Sequence, residues 1–329
     1  MKRLAGLALA LSLGSCAMPT APLPLRPVAV GARIQVDTQA VPLDPTDASR
    51  TRIGNFAYAG GLVLTSRETS RLHGMSDLKV TPDGRMLALG DQSDLLEARL
   101  VLDSAGRLVG VTDATLVALK ETTGVDLFAG GQREFDSEGV ARFANGDLLA
   151  SFEQHDRILL FPRDGGLPRR APQPDVKYTD NKGMEALATA PDVAADAYRV
   201  GLEDSGWTFL CRLSTRCVRD RDLDLDGSAL VAIDNMPGGG LAYLLRSYSV
   251  LRGNTVQLRI LDRAGRLVDR MEIARPLTVD NLEGLAAVAQ PGGRVRFYLI
   301  SDDNFGLYDG KPTDQRTLLL AFDWTPAGR

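Results

Sequence analysis

The sequence is poor in the residues that zinc sites and nucleic-acid surfaces require. It has only two histidines, His73 and His155, and three cysteines among 329 residues. Neither residue type occurs at the spacing of a zinc site, so zinc chemistry is not expected. Lysine and arginine do not cluster with the aromatic residues, which make up 6% of the chain, and the formal net charge is -4. These shortages argue against nucleic acid as a partner.

Long apolar runs are also scarce, and the one at the N-terminus is short. Two basic residues precede the apolar stretch 4–13, whereas a helix that spans a bilayer needs roughly twenty apolar residues. The pattern predicts a cleaved signal peptide over residues 1–16. Leu13-Gly14-Ser15-Cys16 resembles the lipobox of bacterial lipoproteins, which implies lipidation of Cys16 and, with no aspartate after it, an outer-membrane lipoprotein that faces the periplasm. The alternative is an ordinary signal peptide with an incidental cysteine.

Two further features follow from the predicted export of the chain. Residues 17–51 are rich in proline, alanine and threonine, which is typical of a tether. Cys211 and Cys217 are the remaining cysteines, and in an oxidising compartment we expect them to form a local disulfide across a β-hairpin. A loop this short adds only modest stability.

The remaining sequence predicts an all-β fold. From Ile53 to Trp324 it consists of short apolar runs with two-residue alternation, separated by turn signals such as Asn145-Gly146. One unit recurs at intervals of about 45 to 60 residues, as the blades of a β-propeller do. We therefore predict a β-propeller of four-stranded blades over residues 52–329, with five blades counted and six left open. A spare strand at 57–64 would complete the last blade and close the ring.

Acidic side chains recur at the two places in each unit that a propeller brings to one end of its channel, the start of the first strand and the end of the second. Carboxylates that converge there repel one another unless a cation neutralises them. Oxygen ligands favour a hard cation, so we expect calcium. The predicted metal ligands are Glu138, Glu185, Glu283 and Asp302. The alternative is that these residues form turns and accept hydrogen bonds from backbone N–H groups.

The same positions supply candidates for catalysis and for substrate binding. Glu185 would act together with the cation, His155 would transfer a proton, and Arg246 would stabilise negative charge on the substrate. The predicted substrate-binding residues are Ser76, Asp91, Glu153 and Asp303. A serine hydrolase is not expected, because the sequence around Ser76 lacks the second glycine of the nucleophile elbow.

Several motifs together resemble the phytase-like esterase domain family. They are Gly60-Gly61-Leu62, His73-Gly74-Met75-Ser76-Asp77-Leu78, Asp136-Ser137-Glu138-Gly139, Asn181-Lys182-Gly183-Met184-Glu185-Ala186-Leu187, Asp280-Asn281-Leu282-Glu283-Gly284-Leu285 and Ser301-Asp302-Asp303-Asn304-Phe305. The resemblance implies a secreted β-propeller hydrolase with ester or phosphoester substrates and a calcium requirement. The sequence lacks the dense acidic stretch of alkaline β-propeller phytases, which argues against phytate as the substrate.

Two functions are consistent with these patterns. The first is a metal-assisted hydrolase that acts on a small ester or phosphoester at the mouth of the channel, as a monomer attached to the membrane only through its lipid anchor. The second is a non-catalytic propeller of the cell envelope that binds a partner and uses calcium for stability. A propeller hosts both classes, so the fold does not decide between them.

Overall fold

The computed structural model describes residues 32–179, 182–308 and 311–326. The predicted signal peptide, Cys16 and the first part of the predicted tether lie outside these residues. The described chain is almost entirely β-structure, and its helices are single turns: a short α-helix, α1 (Gln132–Phe135), and three 3-10 turns at Leu127–Gly130, Pro291–Gly293 and Asn304–Gly306. None of these helices has the length and apolar character needed to cross a membrane.

The strands form five blades, which confirms the predicted propeller. Four strands precede the first repeat: β1 (Ala32–Arg33), β2 (Asp37–Ala40), β3 (Arg52–Ile53) and β4 (Phe56–Thr65). Blade 1 contains β5 (Met75–Val80), β6 (Arg85–Gly90), β7 (Asp94–Leu102) and β8 (Leu108–Ala118). Blade 2 contains β9 (Ser137–Arg142), β10 (Leu148–Phe152), β11 (Arg157–Phe161) and β12 (Arg169–Ala171).

The remaining blades repeat the antiparallel order from the axis outward. Blade 3 contains β13 (Ala186–Thr189), β14 (Ala197–Gly201), β15 (Trp207–Arg212) and β16 (Val218–Asp222). Blade 4 contains β17 (Ala229–Asn235), β18 (Leu241–Ser249), β19 (Gly253–Leu261) and β20 (Leu267–Ala274). Blade 5 begins with β21 (Asn281–Ala289) and β22 (Val295–Asp302), and after the short pair β23 (Leu307–Tyr308) and β24 (Lys311–Pro312) it continues with β25 (Leu318–Trp324).

The N-terminal strand closes the ring, as the sequence predicts. Strand β4 pairs antiparallel with β25, with Leu319 opposite Leu62, and so supplies the fourth strand of blade 5. The innermost strands β5, β9, β13, β17 and β21 each contact the next, and β21 contacts β5. Buried apolar side chains fill the gaps between neighbouring blades as five clusters in the described chain. This pairing covers the edge of β25, which would otherwise be free to pair with another chain.

The predicted tether is too long at its C-terminal end. Ala32–Arg33 pair with β8 on the outer edge of blade 1, and Asp37–Ala40 pair with β4 on the outer edge of blade 5. These residues therefore belong to the folded domain.

Cys211 and Cys217 are joined by a disulfide bond, with Cα atoms 3.9 Å apart, between strand β15 and the start of β16.

Glycines allow the innermost strands to come unusually close. A Cβ at Gly139 would lie 2.6 Å from the carbonyl oxygen of Glu185 in blade 3. A Cβ at Gly284 would lie 2.8 Å from the backbone of Asp77 in blade 1. Real Cβ atoms do not approach so closely, so only glycine fits after Glu138 and Glu283. The Glu-Gly pairs of the sequence thus place a carboxylate where the inner strands are packed most tightly.

Candidate functional site

A cavity of about 1200 Å³ opens at the end of the channel where the innermost strands begin. Its wall is acidic, and the guanidinium group of Arg246 lies among the carboxylates. The acidic residues that line it are Asp91, Asp136, Glu138, Glu153, Glu185, Glu203, Asp280, Glu283, Asp302 and Asp314. The structure therefore brings together seven predicted residues, which are Asp91, Glu138, Glu153, Glu185, Arg246, Glu283 and Asp302.

Bulges direct two of these glutamates. In blade 5 the ladder between β21 and β22 shifts between Leu282 and Gly284, so Glu283 is an extra residue without an opposite partner. In blade 2 the ladder between β9 and β10 shifts across Glu138 and Gly139. A bulge re-aims a side chain and often lies beside an active site.

Three carboxylates are close enough to share one ion. One oxygen from each of Asp136, Glu138 and Glu153 lies within 4.8 Å of the others. All three residues are buried, and Glu153 Oε2 has no hydrogen-bond partner among the described residues. A buried carboxylate oxygen without a partner is costly. The donors of this cluster are all oxygens, as a hard cation prefers.

Burial and mutual repulsion raise the pKa values of these carboxyls. Burial, followed by the charges of Asp136 and Glu203, raises the pKa of Glu153 to about 8. Burial raises the pKa of Asp136 to about 6. For Glu138, burial and then the neighbouring carboxylates, Glu185 first, raise the pKa well above its usual range. The cluster therefore cannot become fully anionic near neutral pH without a compensating charge.

The opposite wall is organised around Arg246. Its Nη2 lies 3.0 Å from Glu283 Oε1, and Asn281 Nδ2 donates to both Glu283 and Asp302 at 3.0 Å. Burial raises the pKa of Glu283 to about 6 although the guanidinium of Arg246 lowers it. Glu283 and Asp302, which the sequence predicts as metal ligands, thus lie beside Arg246 and are not members of the three-carboxylate cluster.

Asp91 connects the cavity to the buried base of blade 1. Ser76 Oγ donates to Asp91 Oδ1 and lies 3.0 Å from the carbonyl oxygen of Ser137. Burial and then the charges of Asp302 and Glu283 raise the pKa of Asp91 well above its usual range. Ser76 itself is buried and does not line the cavity. The predicted contact of Ser76 with substrate is therefore not supported, and Ser76 instead holds the carboxylate of Asp91 in place.

Two further predicted residues lie away from the cavity wall. His155 faces outward, with Nδ1 3.1 Å from Glu134 Oε2 and Nε2 3.2 Å from Arg170 Nη2. Asp303 is buried and accepts hydrogen bonds from Gly74 N at 3.0 Å and from Thr317 Oγ1 at 3.0 Å, and it lies 2.6 Å from His73 Nδ1. The geometry does not support proton transfer by His155 or direct substrate binding by Asp303.

The sequence-based site omits Asp136, Glu203 and Asn281. Asp136 precedes Glu138 by two residues, and Asn281 precedes Glu283 by two, so on a regular strand each pair would share one side. Glu203 follows the second strand of blade 3 by two residues, and acidic residues stand at or just after the end of that strand in other blades too. The sequence contains these signals, but it does not distinguish residues that line a cavity from residues that form turns.

The pKa shifts predict how stability depends on pH in the absence of a cation. A carboxyl whose pKa is raised in the folded state stabilises the fold at low pH, and this contribution is lost as pH rises through the folded pKa. Between pH 5 and pH 8 we expect the melting temperature of the chelated protein to fall by about 5 °C or more. Added calcium should largely remove this fall. If the melting temperature in chelator rose between pH 5 and pH 8, the raised pKa values of these carboxyls would be contradicted.

Comparison with known proteins places the chain in a family. No curated protein sequence matches it. Solved structures with similarity include a gluconolactonase from Xanthomonas campestris, at 12% identity and a TM-score of 0.45, covering 90% of this chain and 99% of that one. Virginiamycin B lyase from Staphylococcus aureus has 10% identity and a TM-score of 0.43, covering 88% of this chain and 100% of that one.

The phytase-like family, described as having the esterase-like activity of phytase, matches residues 70–305. The match spans well over half of the sequence and includes strands of every blade, and the chain therefore belongs to the phytase-like β-propeller family.

Proposed function

We propose that this protein is a metal-assisted hydrolase that cleaves a small ester or phosphoester in the acidic cavity. The observation that carries the proposal is the convergence of buried carboxylates on one cavity that also contains a guanidinium group. Structural turn formers would not need to face one another. A cavity with convergent charged groups of perturbed pKa is typical of a catalytic site.

The residues that would hold the cation are Asp136, Glu138 and Glu153, with Glu185 beside them. The unpartnered Glu153 Oε2 and the oxygen-only donor set fit calcium, which takes carboxylate ligands in flexible geometry. A cation bound there would polarise an ester or phosphoryl oxygen and make water a better nucleophile. Membership of the phytase-like family supports this assignment.

Arg246 would bind the negative charge of the substrate. Glu283 holds its guanidinium group at the cavity wall, and the carboxylates around it keep the pKa of Arg246 above its usual value although burial opposes this. Arginine offers five N–H donors, and Arg246 Nε is buried without a hydrogen-bond partner among the described residues. The remaining donors suit a phosphoryl or carboxylate oxygen.

Asp91 would supply the proton that the sequence assigned to His155. Its Oδ1 is engaged by Ser76, and burial together with the charges of Asp302 and Glu283 raises the pKa of this carboxyl group, which favours its protonated form. A protonated carboxyl that lines the cavity can donate to the oxygen of the leaving group. Ser76 fixes the orientation of this carboxyl group.

Asp91→Asn and His155→Ala distinguish these two proton donors. We expect Asp91→Asn to lower kcat by about 100-fold or more, because general acid catalysis typically contributes that much. His155→Ala should change kcat by less than about twofold, since the ring contacts surface residues. The measurement is steady-state kinetics against pH for both variants. A large loss in His155→Ala with an active Asp91→Asn would reverse the assignment.

The function itself is tested by a panel of chromogenic carboxyl esters and phosphoesters, assayed with calcium and with chelator. Turnover that chelator removes and calcium restores is the expected result, and the responsive class of ester would identify the substrate type. Absence of turnover across the panel, with calcium still raising the melting temperature, would instead favour a binding propeller with a structural ion.

We propose that the protein resides in the cell envelope, because its sequence predicts lipidation at Cys16.

A further inference from the structure

The hairpin between β18 and β19 carries an unusual apolar tip. Val250 and Leu251 form its turn, and their side chains are 90% and 95% exposed. No other large apolar side chain among residues 32–179, 182–308 and 311–326 is more than 61% exposed. Single exposed apolar residues are common on protein surfaces. Two adjacent aliphatic side chains with almost no protein contact need a different explanation.

The tip stands above the mouth of the acidic cavity. Strand β18 carries Arg246 on the cavity wall and continues for four more residues to Val250, which places the tip roughly 13 Å farther out at the usual rise per residue. Tyr248 and Asn254, one on each arm of the hairpin, line the cavity. Whatever the tip contacts is therefore also close to the cavity entrance.

Two cationic side chains flank the tip. Arg252 is the last residue of the turn, and the guanidinium of Arg275 lies against the hairpin, so that a Cβ at Gly253 would be 3.2 Å from Arg275 Cζ. Both arginines are exposed, and neither forms an ion pair with another described residue. The charges around the apolar tip are therefore positive and available, although the cavity below is acidic.

We propose that this hairpin docks on the surface of an anionic phospholipid bilayer, with Val250 and Leu251 inserted between the headgroups and Arg252 and Arg275 on lipid phosphates. Apolar residues flanked by arginines are the combination that binds at a membrane interface. A turn with two aliphatic side chains offers far less area than a stable protein interface, which buries about 800 Å² on each partner. A bilayer requires only insertion depth and nearby positive charge.

The path of the chain agrees with this orientation. Ala32 pairs with Leu116, close to the end of β8 that lies on the cavity side, and β1 runs from there toward the opposite side. The first described residue thus lies on the cavity side of the domain. A lipid anchor at Cys16, as the sequence predicts, would hold that side toward the membrane.

The test is sedimentation with lipid vesicles, using residues 17–329, which contain every strand of the propeller and lack the predicted acylation site. We expect binding to vesicles of equal parts phosphatidylglycerol and phosphatidylcholine, and weaker binding to phosphatidylcholine alone. The affinity of the double variant Val250→Ser, Leu251→Ser for these vesicles should be lower by about tenfold or more, because two aliphatic side chains no longer enter the apolar part of the bilayer. Arg252→Gln with Arg275→Gln should lose the preference for phosphatidylglycerol.

The control is Leu267→Ser with Val268→Ser, which removes two exposed aliphatic residues at the opposite end of blade 4. This variant should bind vesicles like the unmodified chain. Binding that is absent in the unmodified chain, or equal in the tip variant and the unmodified chain, would overturn the proposal. The readout does not require hydrolysis, so an inactive enzyme would leave the result interpretable.

A kinetic measurement extends the proposal and rests on the proposed function. If the tip docks on a bilayer, the tip variant should have a raised KM for an ester embedded in vesicles and unchanged kinetics for a soluble ester. Equal loss for both esters would show that the tip affects the cavity and not docking. A lack of turnover for both esters in the unmodified chain would contradict the hydrolase alone, because vesicle binding is measured separately.

Discussion

Glu138→Gln is expected to abolish hydrolysis while making the cation-free protein more stable. Glu138 is buried within the three-carboxylate cluster, and its charge adds to those of Glu185 and Asp91. An amide of nearly the same shape removes one negative charge from the cluster, which weakens cation binding and relieves repulsion. We expect kcat/KM to fall by about 1000-fold, which corresponds to roughly 4 kcal/mol of transition-state stabilisation.

Two measurements separate this result from simple unfolding. The melting temperature in chelator at pH 8 should rise by a few degrees in Glu138→Gln, and the increase that calcium produces should shrink. Glu97→Gln makes the same chemical change on a half-exposed residue beside Arg142, away from the acidic cavity, and should leave both quantities unchanged. If Glu138→Gln kept its activity and its response to calcium, the cluster would not be the cation site.

Lys79→Met is expected to cause the largest loss of stability, about 3 to 5 kcal/mol in the free energy of unfolding. Lys79 Nζ lies 2.9 Å and 3.0 Å from the two oxygens of Asp77, which is fully buried in the channel. Asp77 also accepts from Val140 N in blade 2 at 2.9 Å. Without the ammonium group, this buried carboxylate loses its compensating charge.

The same lysine acts across the ring. Its Nζ lies 3.4 Å from the carbonyl oxygen of Ile233 in blade 4, and its charge lowers the pKa of Asp234, which burial raises. Asp234 Oδ2 accepts from Ala287 N in blade 5 at 2.7 Å. Lys79 thus neutralises the carboxylates at the far end of the channel, where the protein supplies its own cation. We expect the melting temperature of Lys79→Met to drop by about 10 °C.

The pH dependence of the Lys79→Met loss identifies its cause. Burial raises the pKa of Asp77 to about 6 even with Lys79 in place, and removal of the lysine should raise it further. A raised carboxyl pKa costs stability only as pH rises through it, so the loss should be smaller at pH 5 than at pH 8. Adding Asp77→Asn should recover part of the stability at pH 8. Lys120→Met, at an exposed lysine, serves as the control and should change little.

Much of the architecture was predictable because its signals are local. Two-residue alternation and turn residues define each strand, and their recurrence defines the blade. The spare strand at 57–64 was recognisable because the last unit lacked a fourth strand, and β4 supplies it. In any propeller the starts of the innermost strands converge, so the sequence alone places Glu138, Glu185 and Glu283 at one cavity.

The partners within the cavity were not predictable in the same way. Bulges at Glu283 and at Glu138–Gly139 interrupt the alternation, and only the paired ladder shows where the extra residue lies. His155 follows Glu153 by two residues and would share its direction on a regular strand. The turn after β10 directs His155 toward Glu134 instead, while Glu153 remains in the cavity.

The sequence by itself determined the family, the all-β class, the repeat that builds the blades and the strand that closes the ring, because these depend on the periodicity and turn chemistry of short segments. The tertiary structure decided which carboxylates share an ion, which one faces Arg246, and that Lys79 neutralises the opposite end of the channel. The shared ion site depends on the bulge and the turn within blade 2, whereas the other two choices depend on distances between blades that are far apart along the chain. They are therefore fixed by how closely the inner strands pack around the axis, where glycine permits carboxylates to meet.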